Sequence, residues 1–562
     1  MMAHEQRAVL DAGTGTRDDE DHPPAPRPRR SPRRLLLPLL VAALLAQMAV
    51  AMVTTARAQT PTIDEPVYVG TAADYLREHR LRRNPEHPPL GKLVIAAGVA
   101  VADPRVDTSS QGDQGAFGRR LLYASGNDPW RLMLWARLPV IALTLLFGLA
   151  VFAFAREVAG GWAGAVALAL YAFSPDLIAH GSLATLDVPA AGFTLTSVWL
   201  LWRARHRRPR LWLPLAGAAF GAAMATKMSV LPAFPVVLAL AGWSVWRAGS
   251  HGRRAALWRA ARGAAVVAVA AVAVVWLSYL AVDPLLRWSP DGQVPAVRGL
   301  KGVLVGLMPF PEAYRDGMRV QFGLENHPWQ GFLFGRLYTG SLWYYLPAAL
   351  LVKTPLGMLA LWAAGAVVLL RSGRLRPAAP YVLVPAAVLL VAAMQGARDF
   401  GTRYALFVPM FLAVAAGSVC VARARWAAVA AGALVLCTAV SSARTYPYYL
   451  PYSNEAFGGP AETRLRLHDS NVDWGQDLGR LADRLRERYP GERVWLVYKG
   501  SGVPSYYGID AADPRTVPAR EVRGLLVVSD SAAAKARGRL AELLDSSRPV
   551  DDVGHSITVY RR

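Results

Sequence analysis

Apolar blocks of about 20 residues alternate with short polar connections along most of the chain. The first block covers 35–54, and the others cover 137–155, 161–179, 186–202, 211–226, 230–247, 263–282, 341–371, 377–395, 403–421 and 426–443. A helix needs about 20 consecutive apolar residues to cross the core of a bilayer. The pattern therefore predicts eleven membrane-spanning helices, with Pro355 interrupting the long block 341–371.

The segment before the first block is polar and rich in Pro. Residues 1–34 end in the basic run RPRRSPRR, and this composition predicts a disordered arm. Ala56-Arg57-Ala58 resembles a signal-peptidase site. The preceding block is longer than the apolar region of most cleaved signal peptides, so we expect a retained anchor.

Beyond residue 444 the pattern becomes that of a small soluble domain. Leu478, Leu481 and Leu485 recur at helical spacing within 473–489. Runs of β-branched and aromatic residues predict strands at 494–498, 525–528 and 557–560, with a second helix at 531–545. The predicted fold class is an all-α polytopic membrane protein with a small C-terminal α/β domain. Its parts are the arm 1–34, the membrane domain 35–443 and the α/β domain 444–562.

The distribution of charge predicts the orientation of the chain in the membrane. There are 62 Lys+Arg against 40 Asp+Glu residues, a formal net charge of +22. Such an excess could bind nucleic acid or orient the chain in the membrane. Arginines concentrate in connections on one side of the predicted membrane, at 203–210, 246–262, 371–376 and 422–425. Short Arg-rich loops face the cytoplasm. We therefore expect a cytoplasmic N-terminus, an extracytoplasmic C-terminal domain and no nucleic-acid partner.

Composition excludes several other classes of protein. Hydrophobic residues make up 53% of the chain and charged residues 18%, which, with the apolar blocks, excludes a soluble enzyme and a disordered chain. Cys420 and Cys437 are the only cysteines, and both fall inside apolar blocks. A disulfide scaffold is therefore excluded as well.

Acidic residues stand at two outer connections. Asp64 and Glu65 follow the first span, directly before Pro66. Carboxylates at the edge of a membrane could act as a general base, or they could cap a helix start and complement its dipole. His180 and Asp187 flank the second outer turn, where an ionisable group should face a cavity or a partner, although Asp187 also suits a cap before Pro189. Both interpretations stay open for both pairs.

Cations and aromatic residues mark the other connections. Lys92, Lys227 and Lys353 interrupt or border apolar sequence, where they could bind a lipid phosphate or extend to the headgroups. Arginine side chains bind phosphate through two parallel hydrogen bonds, and aromatic rings beside them could stack on a sugar or simply lie at the interface. Such residues at the last two outer connections are Tyr344, Tyr345, Arg398 and Arg403. In the tail, Asp473 followed by Gln476 predicts a capping box.

Taken together, these segments resemble the GT-C fold glycosyltransferases that use polyprenyl-phosphate sugars. The nearest branch is that of the protein O-mannosyltransferases and aminoarabinose transferases. The ordered motifs span about 60–480: DEPVY at 64–68, NPEHPPLGKL at 84–93, SPDLIAHGSLATLDVP at 174–189, ATK at 225–227, LWYYLPAALLVKTP at 342–355, RDFGTRY at 398–404, and YLPYSNEAFGGP and DSNVDWGQDL in the tail.

The resemblance implies roles for individual residues. Asp64 would be the catalytic base, with Glu65 as its neighbour, and Asp187 would be a second acid of the cavity. Lys92, Lys227 and Arg403 would be candidates for the donor phosphate. The full set of expected substrate-binding residues is His87, Lys92, His180, Asp187, Lys227, Tyr344, Tyr345, Lys353, Arg398 and Arg403.

The expected activity is inverting transfer of a sugar from a polyprenyl phosphate to a hydroxyl on the outer face of a bacterial plasma membrane. No cofactor is required for this chemistry, and a divalent metal is left open. The acceptor is a protein, a lipid or a glycan. Eukaryotic members of the family carry a β-trefoil in a luminal loop, for which 283–340 is too short, and this departure weighs against protein. The alternative is a non-catalytic transporter or flippase of lipid-linked sugars.

Overall fold

The structure is a computed structural model that describes residues 33–107, 112–246 and 252–562. The predicted arm lies outside these residues except for its last two positions. The helices are α1 (Arg33–Ala58), α2 (Glu65–Glu78), α3 (Pro89–Ala102), α4 (Gln114–Tyr123), α5 (Pro129–Ala159), α6 (Gly161–Ala172), α7 (Pro175–Gly181), α8 (Asp187–His206), α9 (Pro209–Thr226), α10 (Phe234–Trp246), α11 (Arg253–Leu280), α12 (Gly299–Leu307), α13 (Glu312–Glu325), α14 (Tyr345–Lys353), α15 (Leu356–Arg371), α16 (Ala379–Ala393), α17 (Phe407–Gly417), α18 (Arg425–Thr445), α19 (Leu478–Arg488), α20 (Asp530–Ala533) and α21 (Arg539–Asp545).

Seven short strands and several 3₁₀ turns complete the described secondary structure. They are β1 (Gln330–Leu333), β2 (Arg336–Thr339), β3 (Val494–Val497), β4 (Ala511–Ala512), β5 (Leu525–Ser529), β6 (Arg548–Val553) and β7 (Ile557–Arg561). The pair β1–β2 is an antiparallel hairpin in the connection between α13 and α14. The segment 283–340 thus holds two helices and one hairpin.

The chain is a mostly helical, multi-pass membrane protein. Six helices in the described part of the chain are long and apolar enough to cross a membrane, or eight if each of two bent pairs counts as one span. The predicted spans 186–202, 211–226 and 403–421 do form helices, namely α8, α9 and α17, but they do not meet this criterion. The count of eleven therefore stays a prediction.

The position of α8 explains why its sequence is less apolar than those of the outer spans. α9 packs between α8 and α11, and most of the α8 side chains are buried. A Cβ at Gly221 of α9 would lie 2.5 Å from the backbone oxygen of Ala271 in α11. Small residues allow membrane helices to approach closely. Most of α8 is therefore covered by protein, so its apolar content can be lower.

Two of the predicted spans are bent. The axis changes by 117° between α14 and α15, where Pro355 breaks the block 341–371 as the sequence predicts. It changes by 63° between α6 and α7, next to Pro175. Proline cannot donate the backbone hydrogen bond that a continuous helix needs. Each of these two blocks therefore forms two helices instead of one.

The C-terminal residues form a five-stranded sheet with the order β4-β3-β5-β7-β6. β3 runs parallel to β4 and β5, whereas β7 runs antiparallel to β5 and β6. Apolar side chains lie on both faces, with Leu481 of α19 on one side and Leu543 of α21 on the other. The three predicted strands are present as β3, β5 and β7. The predicted helix 531–545 is two short helices, α20 and α21.

The predicted capping box at Asp473 and Gln476 is wrong. The helix begins at Leu478, and the Gln476 side chain instead donates to the Val472 carbonyl at 3.0 Å. Asp473 is 1% exposed and accepts hydrogen bonds from the backbone N–H groups of Gly475 at 3.2 Å and Ser531 at 3.3 Å. Its carboxylate therefore fixes the tail against α20 rather than capping α19.

Burial raises the pKa of Asp473 to about 7. A carboxyl group whose pKa is higher in the folded than in the unfolded state stabilises the fold below its unfolded pKa. That contribution is lost as the pH rises through the folded value. We expect Asp473→Asn to lack this loss, so its melting temperature should rise relative to wild type between pH 5 and pH 8, as measured by thermal unfolding in detergent. A difference that is constant across this range would contradict the burial argument.

Candidate active site

Asp64 lies at the start of α2 and faces an arginine from a distant part of the chain. It occupies the N-cap position, yet its side chain makes no capping hydrogen bond. Instead, its Oδ2 accepts a hydrogen bond from Nη1 of Arg403 at 2.6 Å. The Asp64 side chain is 29% exposed, so one carboxylate edge stays open to a ligand. Of the two sequence interpretations, the structure supports an acid that faces a site over a side-chain cap.

Arg403 is held between two aromatic rings. It lies in a 3₁₀ turn, Thr402–Ala405, directly after Gly401, whose φ of 143° is in the region that favours glycine. The guanidinium carbon is 4.4 Å from the ring centroid of Trp474 and 5.0 Å from that of Tyr404. Arginine stacks well on aromatic rings in this way. The arginine is fixed further by hydrogen bonds, since Nη2 donates to the Tyr404 hydroxyl at 3.2 Å while Nη1 donates to Asp64.

A second acid–base pair lies beside the first. Lys227, directly after α9, forms an ion pair with Asp187 in the first turn of α8. The Lys227 ammonium is also 5.1 Å from the ring centroid of Tyr404. Arg403 contacts the same ring. Tyr404 therefore joins the two pairs. Four segments that are remote in sequence meet here, as the motifs predict.

Glu65 occupies a different position from its neighbour Asp64. It is fully buried, and both its oxygens accept from Arg137 of α5, at 2.8 and 2.7 Å. The backbone N–H groups of Thr62 and Ala184 donate to it at 2.9 and 2.8 Å. Burial alone would raise the pKa of Glu65, but Arg137 and these hydrogen bonds lower it below its usual value. Glu65 joins the end of α1, the start of α2 and the turn before α8.

His87 lies in the loop before α3, with its ring 5.8 Å from that of Tyr68 at an angle of 63°. Burial and the surrounding cations lower its pKa well below the usual value. The cations that contribute are Lys227, Lys92, Arg398 and Arg403. A neutral imidazole is therefore expected at pH 7, inside a ring of positive charge.

Lys92 and Lys353 are buried, and both their ammonium groups are fully engaged. Lys92 donates to the backbone oxygens of Asn84 at 2.9 Å and His87 at 2.7 Å. Lys353 lies 3.3 Å from a carboxylate oxygen of Asp176 and donates to the Asn471 carbonyl at 3.1 Å. The first lysine fixes the loop before α3. The second attaches the tail to the α14–α15 bend.

The other predicted residues surround this centre at different depths. Tyr345 is buried and accepts a hydrogen bond from the Asn471 side chain at 2.9 Å, whereas Tyr344 is 45% exposed. His180 is buried, with its ring 5.9 Å from Trp474. Arg398 pairs with Glu325 of α13 at 2.6 Å. The structure thus brings His180 next to Trp474, leaves Tyr344 exposed, and pairs Arg398 with a carboxylate other than Asp64.

Several residues that build the site were not selected from the sequence. Arg137 stands at the start of an apolar block, and an ionisable residue at that position is itself a signal. Tyr404, Asn471 and Trp474 lie within recognised motifs, but no pattern indicates which motif residues meet. Among the residues that the structure describes, no three His, Cys, Asp or Glu side chains are grouped so that they could hold a metal ion.

The family model described as dolichyl-phosphate-mannose-protein mannosyltransferase matches residues 41–288, just under half of the chain. No curated protein matches the chain. This family match agrees with the resemblance that the motifs of the same region indicate. The matched region includes Asp64, Glu65, His87, Asp187 and Lys227, whereas Arg403 and Trp474 lie beyond it.

Solved structures of three related kinds are similar to the chain. The apo crystal structure of ArnT from Cupriavidus metallidurans is 17% identical, with a TM-score of 0.47, and the match covers 94% of this chain and 98% of that chain. The Pmt1-Pmt2 complex of S. cerevisiae, bound to the sugar donor, is 20% identical over 46% of this chain and 35% of that chain, with a TM-score of 0.37. The apo oligosaccharyltransferase of Archaeoglobus fulgidus is 14% identical over 80% and 58%, with a TM-score of 0.45.

Removal of Arg137 should destabilise the whole membrane domain. In Arg137→Met the buried Glu65 carboxylate loses its counter-charge, which typically costs about 3–5 kcal/mol. We expect the melting temperature in detergent to fall by several degrees. The matched control is Arg486→Met, because the Arg486–Asp483 pair in α19 is exposed on both sides, and exposed pairs contribute little. Equal losses in the two variants would contradict the role assigned to Glu65.

Proposed function

We propose that the protein transfers a sugar from a polyprenyl phosphate to an acceptor hydroxyl at the extracytoplasmic face of a bacterial plasma membrane. The observation that carries this proposal is the pair of ion pairs, Asp64–Arg403 and Asp187–Lys227, which meet at Tyr404. A carboxylate with an open edge supplies a base. Two cations beside it supply a binding site for phosphate. This combination is what transfer from a lipid phosphate needs.

In the proposed reaction Asp64 acts on the acceptor. The acceptor oxygen attacks the anomeric carbon of the sugar, and the bond from that carbon to the donor phosphate oxygen breaks. The hydroxyl proton passes to Asp64, and the bond electrons leave with the lipid phosphate. Attack from the face opposite the phosphate inverts the anomeric centre. General-base catalysis of this type contributes about 10²–10⁴-fold.

Arg403 and Lys227 would bind the donor phosphate. Arginine presents a planar fork that matches phosphate with two parallel hydrogen bonds, and lysine contributes a mobile point charge. Both cations are engaged by a carboxylate in the structure. An incoming phosphate would compete for Arg403 and so leave Asp64 free to accept a proton. Donor binding would thereby prepare the base for the acceptor.

The remaining predicted residues support this centre. Glu65 acts as a positioning residue because its oxygens are already occupied by Arg137 and backbone N–H groups. Lys92 and Lys353 likewise hold the loop before α3 and the tail. His87 and His180 pack against the rings of Tyr68 and Trp474. Tyr345 is buried and bonded to Asn471, whereas the exposed Tyr344 and the Arg398–Glu325 pair would contact an incoming substrate. No cofactor is required, because Arg403 and Lys227 carry the positive charge that the leaving phosphate needs.

The topology that goes with this function has eleven spans, a cytoplasmic N-terminus and an extracytoplasmic C-terminal domain. It rests on the Arg-rich connections, which all fall on the side opposite to Asp64. A transporter or flippase would need charged residues along a path through the bilayer. The charged groups described above instead lie together where the outer connections meet, which favours transfer over transport.

Asp64→Asn tests the proposal most simply. We expect the purified variant, reconstituted in liposomes with a polyprenyl-phosphate sugar and acceptor, to lose transfer by about 10²–10⁴-fold, because the amide cannot accept the proton. The measurement is the initial rate at which labelled product forms. Asp113→Asn is the matched control, since Asp113 is an acid of the same outer loop that caps α4 through a hydrogen bond an amide oxygen can also accept. Equal rates for Asp64→Asn and Asp113→Asn would refute the assignment.

A further inference from the structure

Next to the candidate active site, two tail lysines and two loop aromatic residues form a second half-buried site, here called the lysine pocket: Trp329, Phe400, Lys499 and Lys535. The Lys535 ammonium is 5.4 Å from the ring centroid of Phe400. The rings of Phe400 and Trp329 are 5.6 Å apart and nearly perpendicular, at 82°. The pocket therefore combines a cation with an aromatic wall.

The charges of the pocket do not balance. The Lys499 ammonium forms an ion pair with Asp469, whereas the Lys535 ammonium makes no hydrogen bond or ion pair within the described ranges. Burial and the neighbouring Lys499 lower the pKa of Lys535 to about 8, so it is still charged at pH 7. Lys535 is thus a charged group whose ammonium has no ion-pair partner among the described residues, and the anionic group of a ligand would pair with it.

The pocket is rigidly connected to the candidate active site. Phe400 precedes Arg403 by three residues, which places their Cα atoms at most about 11 Å apart. The Phe400 carbonyl accepts a hydrogen bond from the Ser470 N–H at 3.2 Å, and the Thr402 N–H donates to the Asn471 side chain at 3.1 Å. The lysine pocket is therefore joined to Arg403, the partner of Asp64, through a short segment that is hydrogen-bonded to the tail.

We propose that the lysine pocket binds the acceptor through a carboxylate-bearing sugar. The carboxylate would pair with Lys535, as the Asp469 carboxylate pairs with Lys499, and the apolar face of the sugar ring would pack on Phe400 and Trp329. This inference rests on the proposed function, because it assigns the acceptor side of the same reaction. Of the protein, lipid and glycan acceptors that the sequence leaves open, it selects a saccharide that carries a carboxylate.

Binding of simple sugars to the full-length protein in nanodiscs tests the pocket without turnover. In equilibrium dialysis with radiolabelled glucuronate, we expect wild type to bind glucuronate, and to bind glucose and acetate at least tenfold more weakly. Lys535→Gln should weaken glucuronate binding about tenfold, since a hydrogen bond to a charged group is lost. Lys535→Arg keeps the charge and should stay within about threefold of wild type.

Lys301→Gln is the matched control, because Lys301 is another outer-loop lysine whose ammonium lies 5.2 Å from an aromatic ring, that of Phe322. It should bind glucuronate as wild type does. Equal weakening in Lys535→Gln and Lys301→Gln would overturn the proposal, and so would acetate, glucose or inorganic phosphate binding as tightly as glucuronate. If Asp64→Asn retained transfer while wild type and the Lys535 variants showed the expected binding pattern, the proposed base would be refuted and the assignment of the lysine pocket would not be affected.

Discussion

The ion pair between Asp64 and Arg403 is the contact on which the candidate site depends. It joins residues 339 positions apart and so couples the start of the membrane domain to its last spans. Trp474 of the tail and Tyr404 hold the arginine from both sides. Because a partly buried charge requires a partner, this pair constrains where the first outer loop, the 398–404 segment and the tail can lie. The site exists only when all three are in place.

Buried pairs behind this contact keep it in position. Glu65–Arg137 fixes the end of α1 and the start of α2, while Lys353 attaches the tail segment around Asn471 to the bend after α14. Each of these contacts removes charged groups from water, and it is stable only when nearly all polar atoms of those groups are hydrogen-bonded. As a result, the two adjacent acids differ in the contacts they make. Glu65 is engaged on every side and Asp64 keeps an open edge, so neighbours in sequence have different chemistry.

Much of this could be predicted from the sequence, and the exceptions have physical causes. The apolar blocks and Pro355 predicted helices and a break, because the bilayer and the proline ring act locally. The number of spans is harder to predict, since a helix such as α8 that is mostly covered by protein tolerates less apolar sequence. The capping box at Asp473 was wrong because a tertiary contact with Ser531 uses the same carboxylate. Arg137 was missed because its partner, Glu65, lies 72 residues away.

The central claim is that Asp64 and the donor phosphate compete for Arg403. The most direct test is the dissociation constant of a polyprenyl phosphate for wild type and for Asp64→Asn, measured on the protein in nanodiscs. The account predicts severalfold tighter binding by the variant, because removal of the carboxylate frees the arginine and removes a like charge. Weaker or unchanged binding by Asp64→Asn would contradict it.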